Sequence, residues 1–591
     1  MAVQATGGQG AARQGTAGQA ESPYAVALRD FRGVILIVGL FSAAVNILML
    51  TGPMFMLQVY DRVLASGSVS TLVGLFAIVV VLYAFLAVYD FLRVRFLSRA
   101  GYRLDRRLGD PGFRIWLDAG LRGNPGHARP LNDLATLRGF VASPPMLGFF
   151  DLPFVPLFLG LTWIIHPWLG MLALAGAGVV FVAALAGQAL TSASFREAMR
   201  MDATESFFVE QCYRNAEAMR ALGMEGRIAR RWRAMHDEGL AIGQSGGDRS
   251  EALAAGTKAF RLLLQSALLG LGGYLALRQE ITPGMIVAAS IIAGRALAPI
   301  DQVVGQWRAV VRAHEAHRRL DKLMETAGVP DAPKLSLPAP RGALQVRGLT
   351  KFAPGQRNRG DRPAILSEVS FALEPGDALG VIGPSASGKT TLARLLVGAW
   401  APDSGEVRLD GARLDQWAPD ELGRHVGYLP QSLDLPAGTI AENIARFDPQ
   451  AKDEEIVATA RMAGVHEMIL RLPEGYNTRI GHGLPPLSGG QVQRIGLARA
   501  LYGSPSLVVM DEPNSNLDAT GDESLSRAIS ALRETGAAVV VMAHRPSALA
   551  AVNKVMLMHE GRVVQFGPKD EVLAQVGRKP AVVAGGAGHG G

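Results

Sequence analysis

The sequence contains little cysteine and little charge. Its 591 residues include one cysteine, Cys212, which excludes disulfide bonds within the chain and any cysteine-rich metal site. Charged residues make up 19% of the chain, below the roughly 25% of ordinary soluble proteins, whereas hydrophobic residues reach 49%. The shortage is local: residues 33–60 and 152–195 contain no Asp, Glu, Lys or Arg, while residues 340–575 have a soluble composition. The chain therefore combines membrane-embedded and soluble parts and is too long for one core.

The two ends of the sequence lack apolar runs. Residues 1–22 consist mainly of Gly, Ala and Gln, without the apolar segment that follows a basic start in a cleavable signal peptide. We predict disordered tails over residues 1–30 and 577–591, because such compositions bury too little apolar surface to fold.

Six segments are long and apolar enough to cross a membrane, which takes about 20 residues each. Residues 90–150 contain ten arginines, whereas the loops proposed for the opposite side contain only Arg62 and Arg278. This positive-inside bias places both termini and the two long loops in the cytoplasm. We therefore predict a six-helix transmembrane domain over residues 31–320, and we attribute the net charge of +7 to the membrane rather than to nucleic acid. The predicted spans are residues 33–52, 69–89, 147–165, 169–189, 260–277 and 281–299.

The long loops and the region after the last span predict further helices and a second domain. Residues 203–241 have helical spacing, so we expect the spanning helices to continue into the cytoplasm; amphipathic helices lying on the membrane are the alternative. Prolines at 330, 333, 338 and 340 indicate a linker over residues 321–343. Beyond it, alternating strands and helices predict an α/β domain with a mostly parallel sheet over residues 344–576. The expected buried strands are Ala378–Ile382, Leu507–Met510 and Val539–Met542.

A glycine-rich loop between a strand and a helix fits the pattern G-x-x-x-x-G-K-[ST], whose backbone N–H groups cradle nucleotide phosphates. Lys389 is placed to reach the β- and γ-phosphates, and Thr390 is placed to hold Mg²⁺. Ala386 stands where many such loops have glycine; if the position requires a positive φ, alanine costs on the order of 1 kcal/mol. The predicted phosphate-binding residues are Gly383, Pro384, Ser385, Ala386, Ser387, Gly388, Lys389, Thr390 and Thr391.

Two carboxylates end a second apolar segment, residues 506–512. Asp511 suits Mg²⁺, which prefers oxygen ligands, and Glu512 is placed to orient or deprotonate an attacking water. The structural alternative is a pair of acids that cap a turn at the end of a strand, and the presence of Lys389 disfavours it.

Together these motifs resemble those of an ABC ATPase, and they occur in the order of that family. The resemblance implies ATP as the bound nucleotide, with Gln431 in contact with Mg²⁺ and the water, and His544 in contact with the γ-phosphate. It implies that Leu487–Gln491 binds the γ-phosphate of the opposite protomer, so that two copies form a homodimer with two ATP sites. The other matching residues are Ser488, Gly489, Gly490 and Gln491 within that pentapeptide, Asp518 at the expected dimer seam, and Phe352 as the residue expected to stack on adenine.

Several stretches also resemble the inner-membrane ATPases of type I secretion, especially those that export proteases. The resemblance implies export of an unfolded protein with an uncleaved C-terminal signal, together with a periplasmic adaptor and an outer-membrane channel as partners. Only about 30 residues precede the first span and none is cysteine, so we expect no N-terminal peptidase domain. The stretches are Met54–Leu64, Phe150–Pro156, His166–Pro167, Gly427–Gln431 and Gly438–Phe447.

Some residues depart from the family pattern or lack an explanation. His482 stands where exporters usually have Glu, Leu484 replaces a glycine, and Val492 replaces a common basic residue. Asp151 and Arg295 are ionisable residues near the ends of predicted spans, so either they line a cargo path or they reach the membrane surface by snorkelling.

Two other functions fit the ATPase motifs. The first is an ABC exporter of lipids, peptides or small hydrophobic molecules, which only the membrane domain can distinguish from a protein exporter. The second is an ABC protein whose ATP cycle regulates something without moving cargo. The presence of both Glu512 and His544 argues against the second, because such proteins often lack one of them.

Overall fold

The structure is a computed structural model that describes residues 23–121, 130–326, 337–353, 363–481, 487–515, 517, 519–543 and 546–578. The chain divides into two compact units, Met1–Pro330 and Asp331–Gly591. The predicted tail residues 1–22 and 579–591, and residues 327–336 of the predicted linker, lie outside the described residues.

The described part of the first unit is helical. Six helical stretches in it are long and apolar enough to cross a membrane, namely Phe31–Ser66, Val69–Leu121, Pro144–Ile165, Pro167–Arg214, Glu225–Leu277 and Pro283–Gly305, which confirms the six predicted spans. A π-helical turn, Val59–Val63, and a 3₁₀ turn, Leu152–Phe154, interrupt two of them. The helices are α1 (Pro23–Leu48), α2 (Thr51–Gln58), α3 (Leu64–Ser66), α4 (Val69–Leu121), α5 (Pro130–Val141), α6 (Pro144–Asp151), α7 (Val155–Ile165), α8 (Pro167–Arg214), α9 (Ala216–Ala221), α10 (Glu225–Leu277), α11 (Pro283–Gly305) and α12 (Trp307–Thr326).

Three of these helices continue far beyond their apolar segments. Helices α4 and α10 have 53 residues each and α8 has 48, so each is roughly 70–80 Å long at ~1.5 Å per residue. The predicted helical stretch 203–241 contains a reversal, because α8 ends at Arg214 and α10 begins at Glu225. Gly223 adopts φ 62° in this turn, a conformation that glycine takes at little cost.

The first unit extends further at both ends than the sequence predicts. Helix α1 begins at Pro23, inside the predicted tail, and the buried Tyr24 hydrogen-bonds to His317 of α12. Helix α12 continues to Thr326, inside the predicted linker, because the buried apolar positions Leu320 and Met324 maintain its inner face. Both extensions depend on contacts between distant parts of the chain, which local composition does not reveal.

Asp151 forms a buried ion pair, which differs from both sequence-based alternatives. Arg93 Nη1 donates to Asp151 Oδ1 at 2.9 Å and to Oδ2 at 3.1 Å, and Asn46 Nδ2 donates to Oδ1 at 2.8 Å. Arg93 and Asp151 are each 6% exposed. The carboxylate therefore ties α1, α4 and α6 together, and every strong contact that it makes lies inside this chain.

We predict that Asp151→Asn destabilises the protein strongly, because the buried Arg93 guanidinium loses its buried counter-charge and keeps only the half-exposed Asp90 among the described residues. Losing one partner of a buried pair typically costs about 3–5 kcal/mol, so the midpoint of thermal unfolding in detergent should fall by several degrees. The control is Arg138→Gln, which breaks the more exposed pair with Asp105 and should change the midpoint little. Equal midpoints for the two variants would contradict the structural role of the buried pair.

The described part of the second unit contains three sheets. The largest has the order β12-β11-β3-β10-β9-β6, and all its strands except β12 are parallel. Strands β2-β1-β4-β5 form an antiparallel sheet, and β7 pairs with β8. The strands are β1 (Leu344–Phe352), β2 (Ala364–Leu373), β3 (Ala378–Ile382), β4 (Ser404–Leu409), β5 (Ala412–Arg413), β6 (Val426–Leu429), β7 (Gly438–Thr439), β8 (Arg479–Ile480), β9 (Leu507–Asp511), β10 (Ala538–Met542), β11 (Lys554–His559) and β12 (Arg562–Pro568).

The central strands of the large sheet are buried on both faces. Val508 and Met510 of β9 belong to one apolar core, and Leu507 and Val509 belong to the other. Continuous apolar runs are typical of such parallel strands, and the three strands predicted from them are confirmed. The accompanying helices are α13 (Lys389–Leu396), α14 (Pro419–His425), α15 (Ile440–Ile444), α16 (Asp453–Met462), α17 (His466–Leu470), α18 (Gly489–Leu501), α19 (Ala519–Glu534) and α20 (Lys569–Arg578).

The loop between β3 and α13 requires glycine at two positions, and at a third position it holds the backbone of a non-glycine residue in a strained conformation. A Cβ at Gly383 would lie 2.2 Å from the carbonyl oxygen of Met558, so no side chain fits there. Gly388 adopts φ 96°, and a Cβ would lie 2.6 Å from Cδ2 of Leu366. Ala386 adopts φ 65°, so the position does require the left-handed conformation that the sequence raised as a possibility.

We predict that Ala386→Gly stabilises the protein by about 0.5–1 kcal/mol, because glycine relieves the left-handed strain and loses part of that gain to its greater unfolded-state entropy. Thermal unfolding of the full-length protein, followed by a probe in the second unit, measures the shift. Ala458 is exposed within α16, and Ala458→Gly is the matched control that should destabilise by about 1 kcal/mol. A loss of stability in both variants would show that the backbone of Ala386 is not strained.

Candidate functional site

The predicted site residues gather at one edge of the large sheet. Strands β3, β10, β9 and β6 are parallel neighbours, so their carboxyl ends share this edge. The glycine-rich loop follows β3, Asp511 ends β9, and Gln431 follows β6 closely. The register pairs Leu429 with Met510, so Gln431 follows the end of β6 one residue beyond the level of Asp511. Crevices at the carboxyl ends of parallel strands are common ligand sites.

Lys389 is held inside the glycine-rich loop. Its Nζ donates to the carbonyl oxygens of Gly383 at 2.8 Å and Pro384 at 2.9 Å, and the residue is buried. Burial lowers the pKa of Lys389, and the negative charges of Glu512 and Asp511 oppose that shift. The ammonium therefore lies close to both carboxylates. Lys389 is the first residue of α13, and the backbone N–H groups at this helix N-terminus favour a bound anion such as phosphate.

Asp511 presents two oxygens that lack hydrogen-bond donors. The residue is 1% exposed, and neither carboxylate oxygen has a hydrogen-bond partner among the described residues. Burial raises the pKa of Asp511, and the adjacent Thr390 hydroxyl is the largest effect in the opposite direction. A buried carboxylate beside a hydroxyl is the donor set that a hard cation prefers.

These residues fit a Mg²⁺ that is shared with a nucleotide. Among the described residues, no three His, Cys, Asp or Glu side chains form a metal-binding group. A cation at Asp511 and Thr390 would therefore need further oxygens from phosphate and water, as Mg²⁺ in nucleotide sites does.

Glu512 occupies a strained turn that α18 holds in place. Its φ is 51°, and its N–H donates to the carbonyl oxygen of Met542 at 3.1 Å. The buried Gln493 of α18 donates through Nε2 to the carbonyl oxygens of Pro513 at 2.6 Å and Glu512 at 3.3 Å, and to Ser515 Oγ at 3.3 Å. The sequence analysis did not identify Gln493 as a positioning residue. The one feature of the sequence that could have indicated this role is a polar residue on the apolar face of a helix.

The pentapeptide Leu487–Gln491 begins α18 with reciprocal caps. Gln491 N–H donates to Ser488 Oγ at 3.3 Å, and Ser488 N–H donates to Gln491 Oε1 at 2.8 Å. Gly489 and Gly490 form the first helical positions, and Ser488 is exposed. The motif therefore presents a helix N-terminus to solvent.

Phe352 belongs to the antiparallel sheet rather than to the large one. Phe352 ends β1 in the antiparallel sheet, where it pairs with Ala364 and its N–H donates to Asp403 Oδ2 at 2.9 Å. The site residues Asp518 and His544, and the departures His482 and Leu484, lie outside the described residues.

Another stretch quoted for the family resemblance has a structural role. Arg446 of Gly438–Phe447 is largely buried, and its guanidinium donates to the carbonyl oxygens of Arg499 at 2.8 Å, Ala500 at 3.0 Å and Gly423 at 2.6 Å. Burial lowers its pKa to about 10. Arg446 therefore joins the end of α18 to the segment that leads into β6.

Comparisons with known proteins agree with these features. Residues 366–515 match the family model described as ABC transporter, and residues 127–296 match the model described as ABC transporter transmembrane region. In fold, the chain is similar to a bacterial Atm1-family ABC exporter with ATP bound, at a TM-score of 0.76 and 23% identity, over 94% of this chain and 97% of that one.

Two curated relatives cover most of the chain. The chain is 44% identical over 560 residues to the type I secretion system ATP-binding protein PrsD of Rhizobium meliloti strain 1021. The matched region covers 94% of this chain and 95% of PrsD. The chain is also 28% identical over 558 residues to the toxin RTX-I translocation ATP-binding protein of Actinobacillus pleuropneumoniae. This match covers 93% of this chain and 77% of that protein. The chain therefore belongs to the type I secretion system ATP-binding proteins, a family of ABC transporters, and is a multi-pass membrane ATPase.

Proposed function

We propose that the chain is the inner-membrane component of a type I secretion system that exports an unfolded polypeptide with an uncleaved C-terminal signal. The observation that carries the proposal is the 44% identity to a type I secretion ATP-binding protein over 94% of the chain. A complete export path would add a periplasmic adaptor and an outer-membrane channel. The positive-inside pattern of arginines supports a cytoplasmic position for the ATPase unit.

In this proposal the glycine-rich loop binds the phosphates of ATP. Backbone N–H groups at the start of α13 would contact the phosphates, and the buried Lys389 would turn its ammonium toward the β- and γ-phosphates. Asp511, Thr390 and Gln431 would hold Mg²⁺, which neutralises developing charge on the phosphates when bound. Phe352 remains the candidate for stacking on adenine.

Glu512 is our candidate general base. Its position one residue beyond the buried Asp511 would let it orient a water for attack on the γ-phosphate and accept the proton of that water. Gln493 holds the backbone on which Glu512 lies, so the carboxylate is preorganised. His544 would contact the γ-phosphate and complete the arrangement.

We further propose that two copies close two ATP sites between them. Ser488 is exposed at the N-terminus of α18, which suits it to bind the γ-phosphate on another copy. Glycine at 489 and 490 allows phosphate to approach this backbone closely, and Asp518 would lie at the seam. Symmetric pairing is the usual arrangement of such half-transporters.

We predict that Glu512→Gln retains ATP binding and lowers hydrolysis by at least ~100-fold, because the amide cannot accept the proton of the water. Lys389→Ala should instead abolish ATP binding. Nucleotide binding and phosphate release by the purified full-length protein distinguish the two variants. Glu454→Gln, at an exposed position of α16, serves as the control and should hydrolyse ATP normally. Normal hydrolysis by Glu512→Gln would exclude Glu512 as the base.

The same variant tests the cargo class in the native cell. The culture medium of a Glu512→Gln strain should lose one or a few polypeptides, each of which has an intact N-terminus in the parent strain. An unchanged medium under several growth conditions would contradict protein export and favour an exporter of lipids, peptides or small hydrophobic molecules.

We also predict that Asp511→Asn raises the thermal stability of the protein in the presence of a chelator, because an amide is less costly than a carboxylate when both oxygens lack donors. The same variant should lose the stabilisation that Mg²⁺ adds to ATP. Asp420→Asn, which changes an exposed aspartate, should alter neither property by more than about 0.5 kcal/mol. A lower stability of Asp511→Asn in chelator would contradict the assignment of an uncompensated carboxylate.

A further inference from the structure

Helix α11 is covered on most sides and exposed along one stripe. It packs against α2, α6, α7, α8 and α10. Its other face carries a less buried stripe that follows the helical repeat, which we define by residues 287, 291, 294, 295, 298 and 302. Residues 295 and 302 are exposed, and the other four are partly buried. Arg295 and Gln302 are its most exposed members and its strongly polar ones.

Arg295 lies within the last of the six candidate membrane-spanning helices. Helix α11 runs from Pro283 to Gly305, so Arg295 is about 15 Å from either end at ~1.5 Å per residue. Arg295 lies four residues from the end of the predicted span 281–299, and the helix continues beyond that end to Gly305.

The described structure gives Arg295 no partner within the chain. No hydrogen bond or ion pair among the described residues involves its guanidinium. Ionisable groups within membrane spans usually face a water-filled cavity or a counter-charge, because hydrocarbon solvates them poorly.

Few carboxylates within or beside the predicted spans are free to pair with Arg295. Asp151 is buried against Arg93, and Asp301 of α11 is paired with Arg261 of α10. Asp90, one residue beyond the second predicted span, is half-exposed and also pairs with Arg93.

We propose that Arg295 lies on a water-filled transport path and binds the carboxylates of the polypeptide that passes through it. A guanidinium pairs with carboxylates through two parallel N–H···O hydrogen bonds, which are stronger where water is scarce. The inference rests on the proposed export of protein, and it adds a site that selects acidic segments of the cargo.

Thiol labelling tests the position of Arg295. Cys212→Ser removes the chain's one thiol, and Arg295→Cys, Gln302→Cys and Val80→Cys are then introduced singly. Val80 is an exposed apolar residue of α4, the least buried of the six spans. A membrane-impermeant thiosulfonate reacts with thiolates, which form in water and not in hydrocarbon, so positions 295 and 302 should react at least ~10-fold faster than position 80. Equal rates at 295 and 80 would overturn the proposal.

Peptide binding tests the ligand class. Full-length transporter in lipid nanodiscs is titrated with a fluorescent peptide that carries a run of glutamates, and with the same peptide carrying glutamines. Arg295→Gln should weaken binding of the glutamate peptide by about tenfold and leave the glutamine peptide unchanged, whereas Arg295→Lys should retain most of the affinity. No difference between the peptides, or an equal loss for both, would overturn the carboxylate assignment. Neither readout depends on secretion into the medium, so failure here is distinct from failure of the proposed function.

Discussion

The second unit depends on one buried electrostatic arrangement, in which the ammonium of Lys389 lies near the carboxylates of Asp511 and Glu512. Water cannot solvate these groups fully, and Asp511 has no hydrogen-bond donor of its own among the described residues. The apolar parallel strands bring the three charges to one sheet edge, and burial in two cores fixes those strands. Burying these charges lowers the stability of the fold until phosphate and a cation bind to them. Ligand binding and folding stability therefore depend on the same groups.

In the membrane unit, the carboxylates of Asp151 and Asp61 are neutralised or hydrogen-bonded within the chain. Asp151 is neutralised by Arg93, and Asp61 accepts hydrogen bonds from Thr282 Oγ1 at 2.5 Å and from the N–H of Gly284 at 2.9 Å, at the start of α11. These contacts join segments far apart in sequence and fix the spanning helices against one another. Arg295 differs from Asp151 and Arg261, the other charged residues of the predicted spans, because it has no partner among the described residues, which makes it a candidate functional residue.

Much of the fold could be predicted because it depends on local patterns. The six spans and the three central strands follow from apolar runs, and the departure of Ala386 from a motif drew attention to a position where φ is positive. The early start of α1, the buried partner of Asp151 and the role of Gln493 could not be predicted. Each depends on a contact across a long sequence separation, such as Tyr24 with His317, and one sequence carries no signal for such a pair.

Helix α18 links the motif Leu487–Gln491 to the distant Glu512. Its N-terminus exposes Ser488, and Gln493, little more than one turn later, holds the strained turn of Glu512. This helix of 13 residues is packed in the core, so it connects Ser488 directly to the backbone of Glu512 without an intermediate loop. Positive φ at Glu512 persists because α18 fixes the turn, so the proposed base is positioned by the same element that would sense nucleotide on another copy.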